Sequence, residues 1–270
     1  LNPTRVTPAG ATVIKAVLLD LNGVLFEDGS PCPGAETTVG WLRQKGYRLR
    51  FLTNTASRSR ESLQRDLERM GLGPADDELF TAPMAARTYL MRHGLRPHSL
   101  VHPAIAPLFA DLQADDPEGP EADSVVLGDA RDGLNYSALN AAFRLVRQGC
   151  PLVAIGMNRC FREGGEWFLD AGAFVQAIAW AARVEPIVMG KPAAPFFLEL
   201  LHPLGLAPDE CLMVGDDVEA DVAGAMTVGI AGCLVRTGKF EAKDLERLPT
   251  GAAVIGSIAE LPDLLSCLAQ

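Results

Sequence analysis

At 270 residues, with 48% hydrophobic side chains and a formal charge of −10, the chain is long enough for one large core or two ordinary domains. The acidic excess excludes a general nucleic-acid binder or anionic-membrane binder, since neither works without basic surplus to offset phosphates. A small anionic substrate remains compatible, because a few local cations or a metal ion reverse the field inside one pocket. Six cysteines (Cys32, Cys150, Cys160, Cys211, Cys233 and Cys267) are scattered without a close pair. They read as reduced thiols, not as a disulfide framework or a zinc knuckle. With no secretory leader and no uncharged apolar run of about 18 residues, the expectation is a soluble cytoplasmic protein.

In chain order, KAVLLDL (15–21) and YRLRFLTN (47–54) predict strands. SRSRESLQRDLERMG then predicts a helix with Leu63, Leu67 and Met70 on one face. DSVVLG (123–128) predicts a strand, NYSALNAAFRLVRQG a helix carrying Leu139, Ala142, Phe143 and Val146, and PLVAIG (151–156) another strand. KPAAPFFLELLHPLG predicts a helix with Phe197, Leu200, Leu201 and Leu204 inward, Pro192 near its start and Gly205 just past its end. ECLMVGD (210–216) and TVGIAG (227–232) predict the last strands. Strand then helix, repeated, predicts an α/β fold with a parallel sheet covered by helices on both faces. Two acidic Pro/Gly stretches, GLGPADDEL (71–79) and ADDPEGPEAD (114–123), break the rhythm as surface loops. The division expected is a core of residues 1–80 and 184–270, with a small α/β domain, 81–183, inserted between.

Four short segments fall at predicted strand ends, where open parallel sheets collect ligands. Asp20 ends the first strand and either caps a turn or reacts. Thr53 and Asn54 end the second, and either bond an anion or cap the helix that begins near Ser57 to Ser59. Lys191, in VMGKP, stands before a helix start, where a cation opposes the dipole unless an anion is present. MVGDDVEAD supplies Asp216 at a strand end, with Asp217 and Asp221 one turn apart on one helix face. These acids form either a solvated patch or a divalent-metal site.

Taken together the segments specify a chemistry. Oxygen ligands without a His or Cys cluster suit Mg²⁺ better than zinc. A metal, a lysine and a hydroxyl can neutralise a phosphoryl group, and a facing carboxylate can attack it in line to form an acyl phosphate. A nucleotide-dependent oxidoreductase fits the fold but lacks a GxGxxG after a strand.

The ordered motifs DLNGV, LTN, GKP and GDDVEAD resemble those of the haloacid dehalogenase superfamily, and the position of the insert resembles its class IIA cap arrangement. The resemblance covers nearly the whole chain, with FLTNTASRSRESL, NYSALNAAFRLV, VMGKPAAPFFLEL, MVGDDVEADVAGA and VRTGKF carrying it. It implies a Rossmann-like core with an inserted α/β cap. It implies Asp20 as nucleophile and metal ligand, Asp216 as a second ligand, and the backbone carbonyl of Asn22 as a third. Asp221 and Asp217 would hold the metal's waters or the lysine. Thr53 and Lys191 would grip phosphoryl oxygens, with Asn54 positioning them or the substrate. In the cap, Arg159 and Asp170, with Gly172, are substrate-binding candidates; a surface arginine and a helix N-cap are their plainer readings. A homodimer through the cap is a further implication.

Asn22 departs from the usual pattern, in which the residue two after the nucleophile is an aspartate that protonates the leaving group and then activates water. An amide does neither, and losing acid–base help costs about 10²- to 10⁴-fold. Phosphoramidates, whose nitrogen leaves already protonated, and Mg²⁺-bound pyrophosphate tolerate that loss best. The expected function is therefore a Mg²⁺-dependent phosphohydrolase acting through an aspartyl phosphate. The alternative is a weakly active or inactive relative that binds a phosphorylated ligand or a partner protein.

Overall fold

The computed structural model describes residues 13–113 and 121–268. In chain order come β1 (Ala16–Asp20), a small hairpin of β2 (Phe26–Glu27) and β3 (Ser30–Pro31), α1 (Ala35–Gln44), β4 (Arg48–Thr53) and α2 (Arg60–Arg69). β5 (Leu79–Thr81), α3 (Ala82–His93), β6 (Pro97–Leu100), β7 (Ser124–Leu127), α4 (Tyr136–Arg147) and β8 (Leu152–Ala154) follow. A second hairpin, β9 (Cys160–Glu163) and β10 (Glu166–Leu169), leads to α5 (Ala171–Ala182), β11 (Ile187–Val188) and α6 (Ala194–Leu204). The chain closes with β12 (Cys211–Gly215), a π-helical turn (Val218–Ala223), α7 (Gly224–Met226), β13 (Ala231–Val235), β14 (Ala253–Ile255) and α8 (Leu261–Leu268). No helix among the described residues is long and apolar enough to cross a membrane.

Two compact units emerge from the contacts. The first comprises residues 1–51, 70–72 and 205–270. Its strands lie in the order β14-β13-β12-β1-β4, with β1, β12, β13 and β14 paired in parallel. All five residues of β1 and of β12 are buried, as the unbroken apolar runs require of strands covered on both faces. On α1, Ala35, Thr38, Val39 and Leu42 are buried at helical spacing, and Thr38 Oγ1 donates to the Ile258 carbonyl at 3.2 Å. Each such leucine or valine contributes about 1.5–3 kcal/mol when fully removed from water.

The second unit comprises residues 52–69 and 73–204. Its sheet, β11-β8-β7-β6, is parallel throughout. Val125, Leu127, Leu152 and Ala154 share a core with Ala142, Leu145, Val146, Val175 and Ile178 of α4 and α5. Both helices start on side-chain caps: Asn135 accepts from the Ala138 N–H at 3.1 Å and Asp170 from the Ala171 N–H at 2.7 Å. α3 packs against α6 around buried Glu199, which accepts from Arg92 at 2.5 Å.

Two sequence expectations need adjustment. TVGIAG is not a strand from Thr227. Gly229, at φ 89°, ends α7 in a left-handed turn, with the Ile230 N–H returning to the Ala225 carbonyl, so β13 begins only at Ala231. On α4 the buried face is Ala141, Ala142, Leu145 and Val146, leaving Leu139 and Phe143 half-buried at its margin. Most of the 114–123 stretch lies outside the described residues.

Candidate active site

In the first unit, the parallel register sets Leu19 opposite Val214. β1 and β12 therefore end side by side, with Asp20 the last residue of β1 and Asp216 the first residue after β12. Asp221 joins them from the π-helical turn, where the N–H groups of both Asp221 and Val222 reach the Asp217 carbonyl at 3.0 and 3.3 Å. One ligand oxygen from each of Asp20, Asp216 and Asp221 lies within 4.8 Å of the others. Asp20 is 8% exposed, and Asp216 and Asp221 are each 1% exposed. Three buried carboxylates at this separation repel one another and bear a desolvation cost, which a bound cation would offset.

Glycines make room for the cluster. A Cβ on Gly23 or Gly238 would overlap Asp216 Oδ2, and one on Gly215 would overlap the Asp221 side chain. Gly23 and Gly238 also hold φ of 80° and 60°, which side chains rarely adopt. The turn after β1 is tight: the Leu21 carbonyl accepts from the N–H groups of Leu25 (2.9 Å) and Phe26 (3.1 Å), and the Gly23 N–H reaches the Phe26 carbonyl at 2.8 Å. Asn22 is exposed and bridges Phe26 across the base of this turn. Behind it, Thr237 Oγ1 donates to the Gly23 carbonyl at 2.5 Å, and the Lys239 N–H to Asp216 Oδ2 at 2.8 Å. Burial, then Glu27 and then Asp216 raise the neighbouring Cys32 thiol above its ordinary pKa.

Asp217 stands apart from the three-acid cluster. Its carboxylate accepts from the N–H groups of Glu219 (3.0 Å) and Ala220 (2.9 Å), and Lys239 Nζ lies 3.5 Å away. It is the N-cap of the π-helical turn.

In the second unit, Thr53 ends β4 and is 9% exposed; its hydroxyl meets the Thr55 N–H at 3.1 Å and the Thr55 hydroxyl at 2.9 Å. Asn54 clasps the Lys191 backbone, with Nδ2 donating to the carbonyl and Oδ1 accepting from the N–H, both at 2.9 Å. Neither residue caps α2, because Ser59 Oγ takes the Ser62 N–H at 3.2 Å. Lys191 is only 8% exposed. Arg159 is exposed at the start of the second hairpin, and Asp170 caps α5. Between them the backbone closes on itself: the Asp170 N–H donates to the Arg159 carbonyl and the Gly172 N–H to the Asn158 carbonyl. Only a glycine fits at 172, since a Cβ would come 2.5 Å from the Asn158 oxygen.

The chain is similar to known proteins along most of its length. Residues 17–112 match the family described as haloacid dehalogenase-like hydrolase, and residues 188–261 a HAD-hydrolase-like model. The chain is 39% identical over 240 residues to human haloacid dehalogenase-like hydrolase domain-containing protein 2, covering 89% of this chain and 91% of that protein. The chain belongs to the haloacid dehalogenase-like hydrolase family. It is also 36% identical over 267 residues to phospholysine phosphohistidine inorganic pyrophosphate phosphatase of Xenopus laevis, covering 95% of this chain and 96% of that one. A solved 4-nitrophenylphosphatase from Thermotoga maritima superposes with a TM-score of 0.80 at 28% identity, over 94% of this chain and 98% of the other. NagD from E. coli shares the fold, with a TM-score of 0.81 at 24% identity over 92% and 98%.

For a haloacid dehalogenase-like hydrolase, the residues that sequence motifs did not single out as site-building are Gly23, Gly215, Thr237, Gly238 and Lys239. A signal was present. Each acid-bearing segment has a glycine beside or near its aspartate (DLNG, VGDD), and TGK follows the next strand.

Proposed function

We propose that this hydrolase is a Mg²⁺-dependent phosphatase working through an aspartyl-phosphate intermediate on a small phosphorylated substrate. The observation that carries the reading is the buried Asp20–Asp216–Asp221 cluster in its glycine cradle. An all-oxygen donor set with no His or Cys is what Mg²⁺ prefers, and the missing Cβ atoms leave space for the Asp216 and Asp221 carboxylates beside one another. Asp20, Asp216 and the Asn22 carbonyl would hold it, with Asp221 holding its water. When bound, the ion neutralises phosphoryl oxygens and orients the group for in-line attack.

On this reading Asp20 attacks phosphorus, forming the Asp20–phosphorus bond as the bond to the leaving group breaks. Thr53 and Lys191 hold the phosphoryl oxygens by a hydroxyl and an ammonium, and Asn54 fixes the backbone that carries Lys191. Water then cleaves the aspartyl phosphate, releasing inorganic phosphate and restoring Asp20. Asn22 transfers no proton in either step, so the leaving group departs best when it is a protonated nitrogen or a phosphate. Phosphoramidates and pyrophosphate are therefore the favoured substrates, in keeping with the name of the Xenopus relative. Residues 81–183 are taken as the inserted domain that selects the leaving group, with Arg159 and Asp170 as its candidate contacts.

Asn22 also favours a second reading, a relative that binds a phosphorylated ligand with little turnover. One experiment separates them: Mg²⁺-dependent phosphate release from a phosphoramidate, pyrophosphate, a sugar phosphate and an aryl phosphate. The parent chain should release phosphate from the first two and lose activity on chelation. Inertness on all four, with activity appearing in Asn22→Asp, would favour the binder.

A further inference from the structure

We propose that the loop Thr237–Gly238–Lys239 is a positioning element for the acidic site, holding the Gly23 backbone and the Asp216 carboxylate at the spacing a divalent cation requires. The inference deepens the metal-dependent reading above and rests on it. It starts from three contacts made by three consecutive residues. Thr237 Oγ1 donates to the Gly23 carbonyl at 2.5 Å, and the Lys239 N–H to Asp216 Oδ2 at 2.8 Å. Between them Gly238 lies so close that a Cβ there would stand 2.6 Å from Gly23 Cα and overlap Asp216 Oδ2.

Each contact removes one freedom the site cannot keep. A carboxylate turns about its Cβ–Cγ bond; an N–H on one oxygen sets the direction of the other. A peptide carbonyl at a positive-φ turn can tilt; a hydroxyl on Gly23 O holds the peptide plane after Gly23, next to the plane that carries the Asn22 carbonyl, which the Gly23 N–H bond to the Phe26 carbonyl holds in turn. Asp216 and the Asn22–Gly23 turn come from opposite ends of the chain, yet the same loop fastens both. The Gly23 bond has a sequence separation of 214 residues. Outer partners of this kind orient ligands before the ion arrives, and losing one costs about 10- to 100-fold in metal affinity.

Mg²⁺ titration by calorimetry on the full chain tests this, with unfolding midpoints measured in chelator alongside. Thr237→Val should bind Mg²⁺ about 10- to 100-fold more weakly, while Thr237→Ser, which keeps the hydroxyl, should stay within about threefold of the parent. Should Thr237→Val fail to fold, Thr237→Ala carries the same expectation. A hydroxyl-less variant that folds and binds Mg²⁺ as tightly as the parent would overturn the proposal, as would a serine variant that loses as much as valine. If the parent itself binds no Mg²⁺, the metal-dependent reading falls and this inference with it. If the parent binds and the variants match it, only this inference falls.

Discussion

Asn54 and Lys191, 137 residues apart in sequence, are joined by a reciprocal pair of 2.9 Å hydrogen bonds between one side-chain amide and one backbone unit. A side-chain amide carries its donor and its acceptor side by side on one carbon and in one plane, so asparagine (or its longer homologue) is the residue type the contact suits. Asn54→Asp sets a carboxylate oxygen against the Lys191 carbonyl and should destabilise by about 1–3 kcal/mol, as leaving a buried polar group unmatched does. Denaturant unfolding measures it, and the same variant should lose turnover, because the lysine backbone is no longer held.

Asp20→Asn should abolish phosphate release, with a loss of more than about 10³-fold, the scale on which removal of a nucleophile is felt. Because the carboxamide is nearly isosteric, the unfolding midpoint should hold or rise as one charge leaves a buried acidic cluster. Retained activity in a folded Asp20→Asn protein would rule out the covalent mechanism.

Asn22→Asp adds the missing proton donor. For an alkyl phosphate, whose alkoxide leaves poorly, kcat should rise by about 10²- to 10⁴-fold. For a phosphoramidate the gain should be smaller, because the first step no longer depends on the acid. Steady-state kinetics on one substrate of each kind gives the contrast, and equal gains on both would contradict the argument from leaving groups.

Glu199 is 1% exposed, its Oε1 is held by Arg92 at 2.5 Å, and its Oε2 has no hydrogen-bond partner among the described residues. Arg92→Met strands a buried carboxylate and should cost roughly 3 kcal/mol, the lower end for breaking such a pair because Arg92 itself is partly exposed. Glu199→Gln removes the charge with the shape and should cost less. A double-mutant cycle by denaturant unfolding checks the order of the two effects.

Acid should weaken the fold by a definite route. Hydrogen bonds from Arg58 lower the Asp66 pKa, those from Arg87 lower Asp111, and that from Lys15 lowers Glu210. The Glu241 N–H and then Arg247 lower Asp244. Carboxylates depressed in the folded state favour folding above their unfolded pKa of about 4 and lose that contribution as pH falls through the folded values. The thermal midpoint should therefore change little from these groups above about pH 5 and fall below about pH 4. Asp244→Asn should flatten that acid limb.

The strands that carry Asp20, Thr53 and Asp216 were legible because short apolar runs ending in a polar residue have few other interpretations. Their motifs were legible because a nucleophile, a hydroxyl, a lysine and an acid pair recur in one order. The second hairpin was not: CFRE and EWFL mix charged with aromatic residues, and Trp167 and Leu169 stay 70% and 64% exposed, so no burial pattern marks them. Sequence also set Asp217 and Asp221 on one helical face, whereas the π-helical turn separates their tasks, one capping the turn and the other joining the cluster.

What the sequence determined by itself is the chemistry on offer: which residue can attack, which can neutralise charge, and that Asn22 cannot move a proton. Local pattern carries that much because side-chain chemistry is a property of the residue. What only tertiary structure decided is how those groups are held. The Asn54 clasp on Lys191 and the Thr237–Lys239 contacts with Gly23 and Asp216 are long-range hydrogen bonds to backbone or carboxylate groups. Any residue with an N–H or a carbonyl could supply one end of them, so nothing in the local sequence announces the partner.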